Sequence, residues 1–201
     1  MKDYDLTDED GTLLVQTARK IVTEYITNHH KLELDEKIKE KFSYDAGLFV
    51  TLNISSNLRG CVGFPMPKKL NNALVDAAIA AASEDPRFSP VTEDELDRIT
   101  FEVTVLTPPV EIKVDDPSKL VSCIKVGRDG LIVRQGFYSG LLLPQVPVEY
   151  GWTEEEFLSH TCQKAGLPNN CWKDKKTIVS SFEGIIFKEE MPKGKIIREK
   201  L

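Results

Sequence analysis

Strand-like and helix-like stretches follow one another in this sequence without the regular strand-helix-strand order that a parallel sheet requires. Alternating apolar residues mark strands at 47–54, 99–106 and 177–187, because successive side chains of a strand point to opposite faces. Apolar residues at helical spacing follow Thr7 and fill 70–83. This mixture predicts an α+β fold, in which a largely antiparallel sheet is flanked by helices and carries a smaller packed lobe.

The size and composition of the chain permit a substantial hydrophobic core. It has 201 residues, of which 41% are hydrophobic and 29% charged, and this mixture folds without help from disulfides, metals or a membrane. No segment rich in Pro, Gly or Ser divides the sequence. We therefore expect a single domain over residues 1–201, with two lobes and no flexible linker between them.

Charge and patterning also restrict the class of protein. A net charge of -6 disfavours non-specific nucleic-acid binding, which needs clustered Lys and Arg. The acidic stretch 1–11 does not resemble a signal peptide, and no apolar run approaches the roughly 20 residues of a membrane span. These observations predict a cytoplasmic protein whose four cysteines, Cys61, Cys123, Cys162 and Cys171, remain thiols.

Turn and cap signals predict the order of elements in the second half of the chain. The glycines of Gly127-Arg128-Asp129-Gly130 suit a tight hairpin between two short apolar runs. Thr153, three residues before Glu156, starts a helix that Gly166 ends. The stretch 177–187 is then expected to be the last strand, followed by a basic tail.

One short segment can carry chemistry. After the turn signal Ser55-Ser56-Asn57, the run Arg59-Gly60-Cys61-Val62-Gly63 combines a cation, a thiol and two glycines. A nearby guanidinium favours the thiolate form of cysteine and can also bind a carboxylate or phosphate, whereas glycine permits close approach of a ligand to the backbone. Nucleophilic catalysis also needs a base, and no histidine is close to Cys61 in sequence.

A purely structural interpretation of the same run stays open. Unbonded cysteine is among the most buried residue types, and Gly60 and Gly63 are equally expected where the helix at 70–83 packs closely on a strand. The two interpretations differ in whether the sulfur of Cys61 faces a cleft or the core.

The segment Leu58 to Gly63 resembles the signature of the AMMECR family. Further matches follow in family order over most of the chain, at Asp85-Pro86-Arg87-Phe88, Val126 to Leu131, Ser139 to Pro147, and Thr161 to Trp172. The resemblance implies a two-lobed α+β protein, encoded alone or beside partners of the Memo and radical-SAM families. Roles proposed for the family are an enzyme that uses the cysteine motif and a regulatory or nucleic-acid-associated factor.

A candidate site follows if the loop at Asp85 and Arg87 folds back onto the cysteine motif. Asp85 can then orient Arg59 or accept a proton, and Gln145, bracketed by prolines, can line the same cleft. We therefore predict Cys61, Arg59 and Asp85 as catalytic residues. Gly60, Gly63, Arg87 and Gln145 are the predicted ligand-binding residues.

Other motifs give no cofactor or metal site. His160 and Cys162 are two residues apart on a helix and so point about 200° apart, which is unsuitable for zinc. The loop Gly127 to Gly130 lacks the long glycine run and the lysine of a nucleotide-binding loop. Neither a reaction nor a cofactor follows from these residues.

Three functions are consistent with the sequence. The first is an enzyme or small-anion-binding protein with its site at the Arg59-Gly60-Cys61 turn. The second is a protein-interaction module that uses the Pro-rich segment 143–149. The third, an RNA-associated factor, requires that Arg59, Arg87 and Arg128 form one basic patch.

Overall fold

The computed structural model describes residues 6–199, so the first five residues of the acidic stretch 1–11 lie outside it. The chain forms two compact units. The first contains the described residues up to Leu106 together with those from Ile185 onward, and the second contains Thr107–Gly184. Within the described part of the chain, no helix is both long and apolar enough to cross a membrane.

Among residues 6–199, three α-helices belong to the first unit. They are α1 (Asp8–Asn28), α2 (Glu36–Lys41) and α3 (Leu70–Ser83). The predicted start of α1 is confirmed, because the side chains of Thr7 and Asp10 each accept a hydrogen bond from the other residue's backbone N–H. Such a cap satisfies backbone donors that have no partner inside the helix.

The sheet of the first unit is antiparallel. Its central strand β1 (Asp45–Ile54) pairs with β2 (Asn57–Lys69) on one side and with β3 (Ile99–Leu106) on the other. The end of strand β7 (Ile178–Glu189) pairs with β8 (Ile196–Glu199). The expectation that 177–187 forms the last strand was therefore wrong, since residues 196–199 add one more.

The two faces of this sheet have different chemistry. Leu48, Val50 and Leu52 of β1 are fully buried on the face that packs with α1 and α3. The alternate residues of the same strands, among them Thr51 of β1 and Glu102 of β3, lie on the opposite face, which we call the polar face. Alternation thus places the core and the candidate site on opposite sides of the same strands.

The second unit is also α+β. It contains β4 (Val110–Glu111), α4 (Leu120–Cys123), β5 (Asp129–Gln135), β6 (Tyr138–Leu142), α5 (Gln145–Tyr150), α6 (Glu154–Lys164) and the first part of β7. Strand β5 pairs with β6 and with β7, both antiparallel. Both units therefore confirm the predicted α+β class.

The predicted hairpin at Gly127–Gly130 was wrong in position. Gly127 has φ of 84°, but the turn leads into β5, and the turn between β5 and β6 contains Gly136, with φ of 59°. The reason is local: the carboxylate of Asp129 accepts the backbone N–H of Lys125 at 2.8 Å and closes the first turn without strand pairing.

Two cysteines do not remain thiols, contrary to the expectation for all four. Cys162 on α6 and Cys171 just beyond it form a disulfide, with their Cα atoms 6.0 Å apart. The helix ends at Gly166, which has φ of 74°, and this reversal of the chain brings the two side chains together. Cys61 and Cys123 are the free cysteines among residues 6–199.

Candidate functional site

Cys61 lies in a row of polar side chains across the first unit's sheet. It pairs with Thr51 on β1, and Thr51 pairs in turn with Glu102 on β3. Residues paired directly across antiparallel strands have side chains on the same face, about 5 Å apart per strand. Cys61, Thr51 and Glu102 are each half-buried, so the row belongs to the polar face and not to the core.

The thiol of Cys61 is held in its protonated form. Burial raises its pKa, and the nearby charge of Glu102 contributes in the same direction. The hydroxyl of Thr51, 3.3 Å from the sulfur, and the charge of Arg87 oppose this increase. At neutral pH the sulfur therefore needs a proton acceptor before it can act as a nucleophile.

Glu102, at the other end of the row from Cys61, carries a titratable carboxyl that sequence reasoning missed. Burial, with a smaller contribution from the charge of Glu199, raises the pKa of its carboxyl to about 7. Lys188 and a hydrogen bond with Thr104 act against this shift. The signal in the sequence was weak, because a glutamate in an alternating strand is ordinarily a solvated residue.

The pair Asp85 and Arg87 closes the edge of the sheet at Cys61. The Asp85 carboxylate accepts the backbone N–H of Cys61 at 2.8 Å, and Arg87 Nη2 donates to the Cys61 carbonyl at 3.3 Å. The two side chains also bind each other, with Nη2 to Oδ2 at 2.7 Å and Nε to Oδ1 at 3.0 Å. They thereby occupy backbone groups that an additional strand would use.

This arrangement sets the charge of Asp85. Arg87 holds the pKa of the Asp85 carboxyl well below its usual range, with further help from the N–H of Cys61. The side chain is 3% exposed, whereas that of Arg87 is 53% exposed. Asp85 is therefore charged at neutral pH and binds Arg87, whose own side chain stays largely exposed.

Arg59 has a different partner from the predicted one. Its guanidinium binds both carboxylate oxygens of Glu95, at 2.8 and 2.9 Å, and donates to the carbonyls of Ser89 and Pro90. The side chain is 14% exposed. Asp85 does not orient Arg59, because each has its own ion-pair partner. Arg59 instead connects β2 to the 89–95 loop.

The pairing register explains the position of Arg59. Leu52 pairs with Gly60, but the next residue, Asn53, pairs with Leu58, so Arg59 has no partner across the β1–β2 ladder. An extra residue of this kind bends a strand locally and redirects its side chain. The irregularity turns Arg59 toward the 89–95 loop while Cys61 keeps its place in the row.

The two glycines of the motif serve backbone packing. A Cβ added to Gly60 would lie 2.1 Å from the carbonyl oxygen of Ala81 on α3, and one added to Gly63 would lie 2.3 Å from the carbonyl oxygen of Leu48. The close approach of α3 that the structural interpretation required is thus present at Gly60. At Gly63 the neighbour is β1.

The remaining predicted residues lie in the second unit. Gln145 is the first residue of α5 and is half-buried, and Arg128 binds both carboxylate oxygens of Asp129, at 2.7 and 2.8 Å. Since Arg59, Arg87 and Arg128 are each paired with a carboxylate, none contributes an unpaired positive charge.

Comparison with known proteins matches the sequence of this chain to a protein family. The family model AMMECR1 matches residues 15–187. A protein of Thermococcus gammatolerans is 52% identical, covering 98% of this chain and 99% of its own length, and one of Methanocaldococcus jannaschii is 49% identical, covering 98% of each.

A solved structure gives the same result in three dimensions. The crystal structure of an uncharacterized protein from Pyrococcus horikoshii has a TM-score of 0.88 and 48% sequence identity, covering 98% of this chain and all of that one. Its similarity extends over both units. The chain belongs to the AMMECR1 family.

Proposed function

We propose that this protein is a cytoplasmic enzyme that acts through the thiol of Cys61 on a small ligand bound at the polar face of the first unit. The observation that carries this proposal is the row Cys61–Thr51–Glu102, in which a half-buried thiol and a carboxyl with a pKa of about 7 share one sheet face. Perturbed titratable groups of this kind are concentrated at functional sites.

The residues have distinct roles in the proposed chemistry. The sulfur adds to an electrophilic carbonyl carbon of the ligand, and the π electrons of that C=O bond move to its oxygen. The thiol proton passes through the hydroxyl of Thr51, 3.3 Å from the sulfur, to the carboxylate of Glu102, whose pKa matches a general base at neutral pH. Arg87 offers the exposed part of its guanidinium to an anionic group of the ligand. Asp85 and Arg59 are positioning residues, because their charged groups hold Arg87 and the 89–95 loop.

Alkylation by iodoacetamide tests the pairing of Cys61 with Glu102. We expect Glu102→Gln to slow the labelling of Cys61 by about tenfold or more, because the substitution removes the proton acceptor. Peptide mass spectrometry measures the rate, and the exposed free thiol of Cys123 serves as a control on the same chain. Its rate should not change.

The opposite result would separate general-base catalysis from simple electrostatics. The negative charge of Glu102 raises the pKa of Cys61, so its removal alone makes the thiolate more abundant. Labelling of Cys61 that is unchanged or faster in Glu102→Gln would therefore remove Glu102 as the base, and with it the catalytic version of the proposal.

A protein-interaction module is the second candidate. It is favoured by helix α5, where Val148 and Tyr150 are 53% and 69% exposed, since apolar side chains grouped on a surface mark interaction sites. Partners of the Memo and radical-SAM families are the first to test. Co-purification with such a partner should be lost in Val148→Ser and retained in Ile178→Ser, which changes another exposed apolar residue.

A further inference from the structure

A polar hollow opens beside Glu102 within the first unit. Its volume is about 620 Å³, which is within the range of small-ligand sites. One wall is formed by β1, its turn and β3, and the other by the end of β7 and the residues that follow it. The side chains that the argument uses are Asn53, Ser55, Arg98, Thr100, Glu102 and Lys188.

The two ends of the hollow carry opposite charges that are available to a ligand. Arg98 is exposed and lies immediately before β3, and its guanidinium has no hydrogen bond or ion pair with any of residues 6–199. Glu102 is the fourth residue of β3. The strand from Ile99 to Glu102 spans roughly 10 Å, so the two charges are further apart than those of a single α-amino acid.

Two further charged groups of the hollow, Glu189 and Lys188, have partners. The carboxylate of Glu189 binds Arg19 and accepts the backbone N–H of Phe101 at 3.1 Å. Lys188 forms an ion pair with Glu199. Glu190 also lines the hollow and is exposed. Glu190 lies beyond the end of β7, whereas Arg98 and Glu102 lie on one strand face, so these two are the charged groups that one ligand can bridge.

Neutral hydrogen-bonding side chains occupy the space between these ends. Asn53 and Thr100 are directly paired across β1 and β3, and Ser55 follows at the turn beside Arg98. Amide and hydroxyl groups suit the N–H and C=O groups of a peptide backbone. From Arg98 to Glu102, the lining therefore changes from a cation through neutral polar side chains to a carboxyl.

We propose that this hollow binds a short peptide of two or three residues, with its terminal carboxylate on Arg98, its amide groups along Asn53 and Thr100, and its terminal ammonium on Glu102. The inference concerns binding and goes beyond the proposed function, because it does not require Cys61 to react. Both charges of the peptide are needed, since each compensates a group at one end of the hollow.

Calorimetric titration with trialanine tests the proposal. We expect trialanine to bind, and both its N-acetyl form and its C-terminal amide to bind at least about tenfold more weakly, because each lacks one charged terminus. Arg98→Gln should weaken the binding of trialanine by a similar factor and abolish the preference for trialanine over its amide. Arg134→Gln, which changes an exposed arginine of the second unit, is the matched control.

The pH dependence supplies a second readout. The ionised fraction of a carboxyl with a pKa of about 7 rises from about one tenth at pH 6 to one half at pH 7. The groups that influence this titration are Cys61, Lys188, Glu199 and Thr104. We expect the affinity for trialanine to rise about fivefold over this interval, and the rise to disappear in Glu102→Gln.

Three outcomes would overturn the inference. They are no measurable heat of binding for di- and tripeptides at millimolar concentration, equal affinity of trialanine and its charge-deleted forms, and unchanged affinity in Arg98→Gln. Binding that persists in Cys61→Ala supports it, and this variant also separates peptide binding from the thiol chemistry proposed above.

Discussion

Replacement of Gly60 by alanine is expected to lower the free energy of unfolding by about 3 kcal/mol. The added methyl group would lie 2.1 Å from the carbonyl oxygen of Ala81, and that atom belongs to the backbone of α3, so it cannot rotate away as a flexible side chain would. Either α3 or the β2 strand must shift. Because Cys61 is the next residue, we also expect its alkylation rate to change.

Urea unfolding followed by far-ultraviolet circular dichroism measures this effect. Tryptophan fluorescence would not report on the unit that contains Gly60, because both tryptophans belong to the second unit. Gly151→Ala is the matched control: nothing lies within 4 Å of its added methyl group, and its φ of 66° alone costs about 1 kcal/mol. Equal losses in the two variants would show that α3 accommodates the methyl group.

The features that the sequence predicts well depend on neighbouring residues. The capping residues Thr7 and Thr153 each bond to a residue three positions away, so the signal and the interaction occupy the same short segment. The same is true of the Ala-rich helix α3, whose small residues indicate close packing. Such elements are visible before any tertiary structure is known.

The contacts of the candidate site are not local in this sense. Arg59 binds Glu95, 36 residues later, and a sequence that contains many carboxylates does not indicate which one an arginine will meet. The irregular register at Arg59 decides the choice, and that register depends on the pairing of β1 with β2. Asp85 was predicted to lie near Cys61 only if its loop folds back onto the cysteine motif.

Glu102 was missed for a related reason. Alternation in 99–106 correctly predicts a strand with one buried face, but it does not indicate what covers the other face. The pKa of Glu102 depends on burial and on Glu199 from β8, and β8 itself was not predicted. A titratable group in a strand therefore becomes a candidate only when the neighbours of its sheet face are known.

Substitution of Glu102 by glutamine is expected to stabilise the protein at pH 8 by about 2 kcal/mol, because a carboxyl with a folded pKa of about 7 is ionised there at a cost. The sign follows from linkage. The pKa is higher in the folded protein than in the unfolded chain, so the folded state binds the proton more tightly and stability falls as pH rises from about 4 to 7. Glutamine removes this dependence.

Urea unfolding of both proteins at pH 4.5 and pH 8 checks the result, with Glu93→Gln as a control at an exposed glutamate that should change stability by less than about 0.5 kcal/mol. The difference between Glu102→Gln and the parent should nearly vanish at the lower pH, where the carboxyl is protonated in the folded state.

A destabilised variant at pH 8 would mean that the Glu102 carboxylate is compensated by its neighbours. In that case its cost of ionisation is absent, and neither a neutral-range base nor an ammonium site can rest on this residue. A stabilised variant in which iodoacetamide labels Cys61 slowly would instead show that Glu102 lowers stability but assists the chemistry of the site.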